Sequence, residues 1–239
     1  MVWISTVVGV AGFTAAGGAI LRASTHSRAR LWGPVCWRGP ADTHRKNVAI
    51  TFDDGPTHGM TEPVLDALEK LKVKATFFAI GRHAVAHPQL LRKVHDAGHL
   101  IANHTFDHSH YGYLRGVAYW REQIEKTNAA IEVVTGYRPT FFRSPMGVRT
   151  FRTTSAVREE KMTFVTWSRR ALDGLPTTAD QICHRLLPCA SAGDIFLLHD
   201  GVEAGAKRSP AATVEAIPRI VEGVRQRGLE PVRLDELLR

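Results

Sequence analysis

Cysteine is scarce in this chain of 239 residues: Cys36, Cys183 and Cys189 are too few and too scattered for a disulfide scaffold or a CxxC metal site. They read as inert thiols, with a Cys183–Cys189 bridge as the alternative. No fixed-period repeat and no low-complexity tract occurs, which argues against a solenoid. The one uncharged stretch of membrane-spanning length, Val2 to Leu21, is diluted by Gly9, Gly12, Gly17 and Gly18. It also lacks the preceding Lys or Arg that a secretory signal wants. No RNA- or DNA-binding motif is found, so nucleic acid is not an expected partner.

What is present is the composition of a folded soluble protein, 44% hydrophobic and 23% charged, long enough for one α/β barrel. The formal charge of +8 is unevenly placed. Arg22, Arg28, Arg30, Arg38, Arg45 and Lys46 face only Asp42 within the first 46 residues, so the remaining chain carries little excess. Residues 2–21 followed by this basic stretch have three readings: a membrane anchor, a cleaved or atypical signal, or an interfacial or partly buried helix. If they span, the positive-inside rule puts the following domain in the cytoplasm. Localisation is left open between the two faces, with membrane association or the cell envelope favoured. The expected division is residues 1–40, apolar segment and basic linker, and residues 41–239, one catalytic domain.

Short apolar runs predict strands at Asn47–Phe52, Ala75–Ile80, His99–Ala102, Thr140–Arg143, Phe164–Trp167, Asp194–Leu198 and Glu230–Leu234. Between them, helical periodicity predicts Thr61–Leu71, Pro88–Ala97, Val117–Thr135, Thr150–Lys161, Thr178–Leu187 and Ser209–Arg227, with Gly98, Gly136 and Gly228 at helix ends. Seven such cycles imply a parallel sheet with right-handed crossovers. An open nucleotide-binding sheet would carry a glycine-rich turn after its first strand, and here Asp53-Asp54-Gly55-Pro56 follows instead. The barrel reading is the better one.

Reactive residues gather at the carboxyl ends of those strands: Asp53 and Asp54, then His104 to His108, Arg143, Trp167, and His199-Asp200. Barrel enzymes build their sites on that face. Adjacent aspartates leaving a strand point to opposite sides and can divide two roles, such as metal ligand and proton carrier; a capped Asp-Gly-Pro turn is the plainer alternative. His104 and His108 are four apart, which in a helical turn puts both imidazoles on one side and, with one carboxylate, gives three metal ligands. The other histidines of this stretch, among them His83, His87, His95 and His99, read as surface or helix-end residues.

Thr51-Phe52-Asp53-Asp54-Gly55-Pro56, His104-Thr105-Phe106-Asp107-His108, Arg143-Ser144-Pro145-Met146-Gly147 and Leu197-Leu198-His199-Asp200 together resemble, in order and spacing, motifs of the polysaccharide deacetylases, carbohydrate esterase family 4 with its NodB-homology domain. The similarity runs from about Lys46 to Leu238. It implies a distorted seven-stranded (β/α) barrel and metal-dependent removal of acyl groups from amino sugars or sugar esters. It further implies a divalent metal, Zn²⁺ or alternatively Co²⁺, on Asp54, His104 and His108, with Asp53 as general base and Arg143 orienting it. His199 resembles the general acid, Asp173 its paired carboxylate, Leu197 the wall for the acetyl methyl, and the Met146 N–H the oxyanion donor, with Trp167 also at the substrate. Two departures bear on substrate: the family usually has an aromatic where Met146 stands, and Asp-Trp where Asp173-Gly174 stands.

The chemistry is consistent with those roles. Amide hydrolysis needs a strengthened nucleophile, stabilisation of the tetrahedral oxygen, and a proton for the amine. The expected substrate is an acylated glycan: chitooligosaccharide, peptidoglycan, exopolysaccharide, or a lipid-linked sugar bearing acetyl or formyl groups. Two other classes compete. A catalytically silent glycan-binding relative is opposed by the presence of every expected proton carrier. A non-haem iron protein shares the two-histidine, one-carboxylate triad, but the second aspartate and His199 speak against it. Oligomeric state is open.

Overall fold

The structure is a computed structural model and describes residues 18, 20–40, 46–202 and 210–239. Its strands are β1 (Asn47–Asp53), β2 (Thr76–Ala79), β3 (Leu100–Asn103), β4 (Phe141–Phe142), β5 (Thr163–Phe164), β6 (Arg169–Arg170), β7 (Ile195–His199) and β8 (Glu230–Val232). The helices are α1 (Thr61–Lys70), α2 (Gly81–Ala86), α3 (Pro88–Asp96), α4 (Val117–Thr135), α5 (Phe151–Glu159), α6 (Ala179–Leu186), α7 (Ala211–Arg225) and α8 (Leu234–Leu237). All seven expected strands have a counterpart here; β6 is additional, because two consecutive arginines carry no strand signal. The short helices α2 and α8 are likewise additional, being too brief for helical periodicity to register.

The sheet runs β5-β4-β3-β2-β1-β7-β6, with β8 paired to the first residues of β1, and every pairing is parallel. Its two edge strands, β5 and β6, are separated in the chain only by residues 165–168. That stretch reaches at most about 18 Å, whereas seven strands laid flat would hold their edges roughly 29 Å apart. The sheet must therefore curl, and the result is the α/β half-barrel expected from the strand–helix alternation. Helix signals act where the sequence places them: Thr178 and Gln181 form a reciprocal capping box on α6, and Gly136 ends α4 in a left-handed conformation at φ 72°.

The seam between the edges is filled by residues preceding β1. Cys36 pairs in parallel fashion with Val165, and Arg38 in antiparallel fashion with Asp194, so one extended segment spans from the β5 edge to β7. Residues 20–25 are helical, and the turn after them lies on the barrel: Thr166 Oγ1 donates to Ser27 O at 2.7 Å. Arg149, 1% exposed, donates through its guanidinium to the carbonyls of His26 (3.0 Å) and Ala29, and its own N–H reaches Ser24 O at 2.8 Å. All three cysteines are free, so the Cys183–Cys189 bridge is not formed; burial pushes the Cys36 thiol up to about 11. No helix among the described residues is long and apolar enough to cross a membrane, and residues 2–21, apart from 18, 20 and 21, lie outside them.

Arg149→Met removes a buried charged donor from the two carbonyls of His26 and Ala29. It should lower the unfolding free energy by about 2–4 kcal/mol, measured by urea denaturation of the full chain; a loss below about 1 kcal/mol would mean that the seam segment is held by other contacts.

Candidate functional site

The carboxyl ends of β1, β3, β4, β6 and β7 open into one cleft of about 500 Å³, whose lining includes Asp53, Asp54, His104, His108, Met146, Trp167, Leu197 and His199. Strand geometry brings them there. Asp53 is in register with Phe78 on one side and His199 on the other, so side chains of neighbouring strands at that level face the same lumen. Asp173 and Arg143, the other two expected residues, stand immediately behind this lining.

Arg143 is 0% exposed and spans the barrel interior. Its Nη1 donates to Asp53 Oδ1 at 2.6 Å and to Thr51 Oγ1 at 2.9 Å; its Nη2 donates to Thr166 O at 2.9 Å. The guanidinium carbon sits 3.9 Å from the centre of the Phe78 ring, a cation–π contact. The same residue's carbonyl accepts from His104 Nδ1 at 2.8 Å. With Nδ1 engaged in that bond, Nε2 is the His104 nitrogen that faces the aspartates.

Asp54 Oδ1 lies 3.4 Å from His104 Nε2 and 3.4 Å from His108 Nε2. One donor atom from each of these residues lies within 4.8 Å of the others, and no second such cluster occurs among the described residues. Two ligand atoms held by one ion at about 2.05 Å and a tetrahedral angle lie about 3.3–3.4 Å apart, so both spacings fit a shared cation. Burial alone would raise the Asp54 pKa; the hydrogen bond with His104 and the fields of His199, His104 and His108 outweigh it and hold the carboxyl below its ordinary range.

The two histidines do not reach this arrangement through a helix. Residues 104–108 are a loop, with left-handed backbone at Thr105 (φ 67°) and His108 (φ 52°). The i, i+4 helical expectation is corrected accordingly: the loop is folded back by side chains that stand in for a helical ladder. Asn103 Oδ1 accepts from Thr105 N, and Gln123 Oε1 on α4 accepts from both Phe106 N and Asp107 N. Gln123 Nε2 and Tyr119 OH then close on the Asp107 carboxylate.

Asp54 also departs from strand alternation, with φ 77°. Its carbonyl is held by His83 Nδ1 at 2.8 Å, and Gly201 packs so closely that a Cβ there would overlap it. His83 therefore positions the site rather than decorating the surface. Nothing near it in sequence signals this, because Asp54 lies on another strand end. Asp200 turns away from the cleft into a niche where Thr61 Oγ1 donates to it at 2.7 Å; burial first, and the nearby Asp54 and Asp53, raise its pKa to about 7.

His199 is held from behind by Asp173. Its Nδ1 donates to Asp173 Oδ1 at 2.7 Å, its backbone N–H to Asp173 Oδ2 at 3.0 Å, and Thr213 Oγ1 donates to the same oxygen at 2.9 Å. Burial alone would lower the His199 pKa, but Asp173, with Asp54 and Asp53, outweighs it and raises it. Leu197 and Trp167 form an apolar wall, with the Trp167 indole packed on Gly147. Met146 stands at the rim, 53% exposed, with left-handed backbone at φ 54°.

The polysaccharide deacetylase profile matches residues 41–165. A peptidoglycan-N-acetylglucosamine deacetylase of Bacillus cereus is 30% identical over 86% of this chain and 75% of its own length. Among solved structures, a peptidoglycan N-acetylglucosamine deacetylase bound to 4-naphthalen-1-yl-N-oxidanyl-benzamide superposes with a TM-score of 0.79 at 29% identity, covering 85% of this chain and 92% of that one. A family 4 acetyl xylan esterase from Clostridium thermocellum in complex with a cobalt ion gives 0.72 at 36% identity, covering 80% and 90%. The profile takes in the strand ends that carry Asp53, Asp54, His104, His108 and Arg143, and this protein is a hydrolase of the polysaccharide deacetylase family.

Proposed function

We propose that this protein removes N-acetyl groups from an amino-sugar glycan, with Asp53 as general base and His199 as general acid. The observation that carries the reading is the Asp54, His104 and His108 donor set lying in one cleft with an arginine-bound carboxylate and a carboxylate-bound imidazole. A divalent cation, Zn²⁺ or Co²⁺, fits those three ligands and when bound supplies an acidified water and a polarised acyl carbonyl. The amide-hydrolysing relative and the cobalt-bound esterase support both parts.

The chain's own residues supply the proton traffic. Asp53 has Oδ1 committed to Arg143, which leaves Oδ2, 3.7 Å from His104 Nε2, to take the proton of an attacking water. His199 has Nδ1 committed to Asp173, so Nε2 is the nitrogen that can protonate the departing amine. Leu197 and Trp167 exclude water from the acetyl methyl, and the Met146 N–H is assigned as donor to the tetrahedral oxygen. The segment 2–21, with the basic residues that follow it, is the part of the chain that would associate the domain with a membrane, on either face.

Asp53→Asn should keep the metal and lose about 10²–10⁴-fold in kcat, whereas His104→Ala should lose metal occupancy itself, read by elemental analysis after dialysis. Equal metal loss in both would overturn the division between Asp53 and Asp54. For the pH profile, a general acid works while protonated, so activity is lost as pH rises through the His199 pKa. Asp173 raises that pKa, and Asp173→Asn should therefore move the alkaline limb of kcat/KM to lower pH; an unmoved limb would remove His199 from the acid role.

A further inference from the structure

β6 carries two consecutive arginines with opposite fates. Arg169 points away from the cleft and spends its donors within the fold: Nε to Asp194 Oδ2 at 2.9 Å, Nη1 to Pro188 O at 2.6 Å, and Nη2 to Cys189 O. Arg170, one residue on, faces the other side. It is in register with Leu197 on β7, and both side chains line the catalytic cleft. Arg170 is exposed, and its side chain makes no hydrogen bond or ion pair among the described residues.

The other charges of the cleft are committed. Asp53 is held by Arg143, Asp54 faces the two imidazoles, and His199 is held by Asp173. Met146, Trp167, Leu172, Leu175 and Leu197 make the rest of the wall largely apolar. Arg170 is thus an uncommitted guanidinium one strand, about 4.8 Å, from the residue assigned to the acetyl methyl. A planar fork of donors is matched by a carboxylate or phosphate, which can accept two parallel bonds, better than by single hydroxyls of a neutral sugar.

From this placement we infer that the substrate is an acidic amino-sugar glycan, bearing a carboxylate or phosphate on the acylated sugar or its neighbour, and that Arg170 selects it. The inference rests on the deacetylase reading above and adds the charge of the substrate to it. Arg170 is a specificity residue that binds a group remote from the scissile bond. Its loss should therefore appear in KM and leave kcat in place.

The test uses the full-chain protein loaded with Zn²⁺ and its Arg170→Met and Arg170→Lys variants, whose exposed position keeps the fold intact. Acetate release is measured on three probes: a neutral N-acetylglucosamine tetramer, a muramic-acid-containing oligosaccharide for the carboxylate, and N-acetylglucosamine 1-phosphate for the phosphate. Arg170→Met should raise KM about tenfold on the matching anionic probe, with kcat unchanged, only partial recovery by Arg170→Lys, which keeps the charge and loses the fork, and no effect on the neutral tetramer. Added salt should weaken only the anionic case. Which anionic probe responds identifies the source of the charge. An equal KM change on neutral and anionic probes, a fall in kcat alone, or no change would overturn the inference. Wild-type silence on every probe would sink the deacetylase reading instead. Equilibrium titration of the same three probes then decides the charge question: weaker binding of an anionic probe to Arg170→Met alone supports it, and equal binding refutes it.

Discussion

A guanidinium with no access to water sits at the centre of this barrel, and the site is arranged around it. Taking Arg143 out of water is costly unless its donors and its charge are matched, and the matching groups come from distant parts of the chain: Thr51 and Asp53 on β1, Phe78 on β2, and Thr166 beyond β5. The same residue's carbonyl orients His104. The Asp53 carboxylate and the His104 imidazole are therefore positioned by one buried side chain and its backbone, and they hold their geometry relative to each other because both refer to it. Burial lowers the arginine's pKa and Asp53 opposes that shift, so the carboxylate stabilises the charged guanidinium.

Around that centre, strained backbone does the local aiming. Asp54, Thr105, His108 and Met146 all have φ above +50° without being glycine; Asp54, His108 and Met146 line one cleft, and Thr105 lies in the loop between its two histidines. Such conformations cost of order 1–3 kcal/mol each and persist where surrounding contacts over-determine them. Those contacts are visible: His83 and Gly201 on Asp54, Gln123 and Asn103 on the histidine loop.

The two departures from the family pattern, Met146 and Gly174, both line the cleft, as does Arg170. Asp53, Asp54, His104, His108 and His199, by contrast, are residues that the sequence motifs contain. The wall that meets the remainder of the glycan differs while the reacting centre does not, consistent with the general separation between chemistry held by strand ends and recognition held by the surrounding loops.

Much of this was legible in the residues alone. Strand–helix alternation specified a parallel sheet, and reactive residues recurring just past strand ends marked one face of it, because burial writes period and polarity into the sequence directly. The spacing of His104 and His108 suggested that the two imidazoles share one side with a carboxylate; the structure brings them together with Asp54, but not through a helix. Arg143 with Asp53 was implied by the family resemblance alone, and other pairings remote in sequence carried no local signal: His83 with the Asp54 carbonyl, Arg149 with the segment from His26 to Ala29, and β6 itself. Composition cannot say which of Arg169 and Arg170 faces the cleft, since that follows from strand register and a one-residue slip reverses it. The sequence by itself determined which chemistry is available and on which face of the sheet; only the tertiary structure decided which groups meet, because side-chain direction past a strand end is set by backbone turns and packing partners that lie elsewhere in the chain.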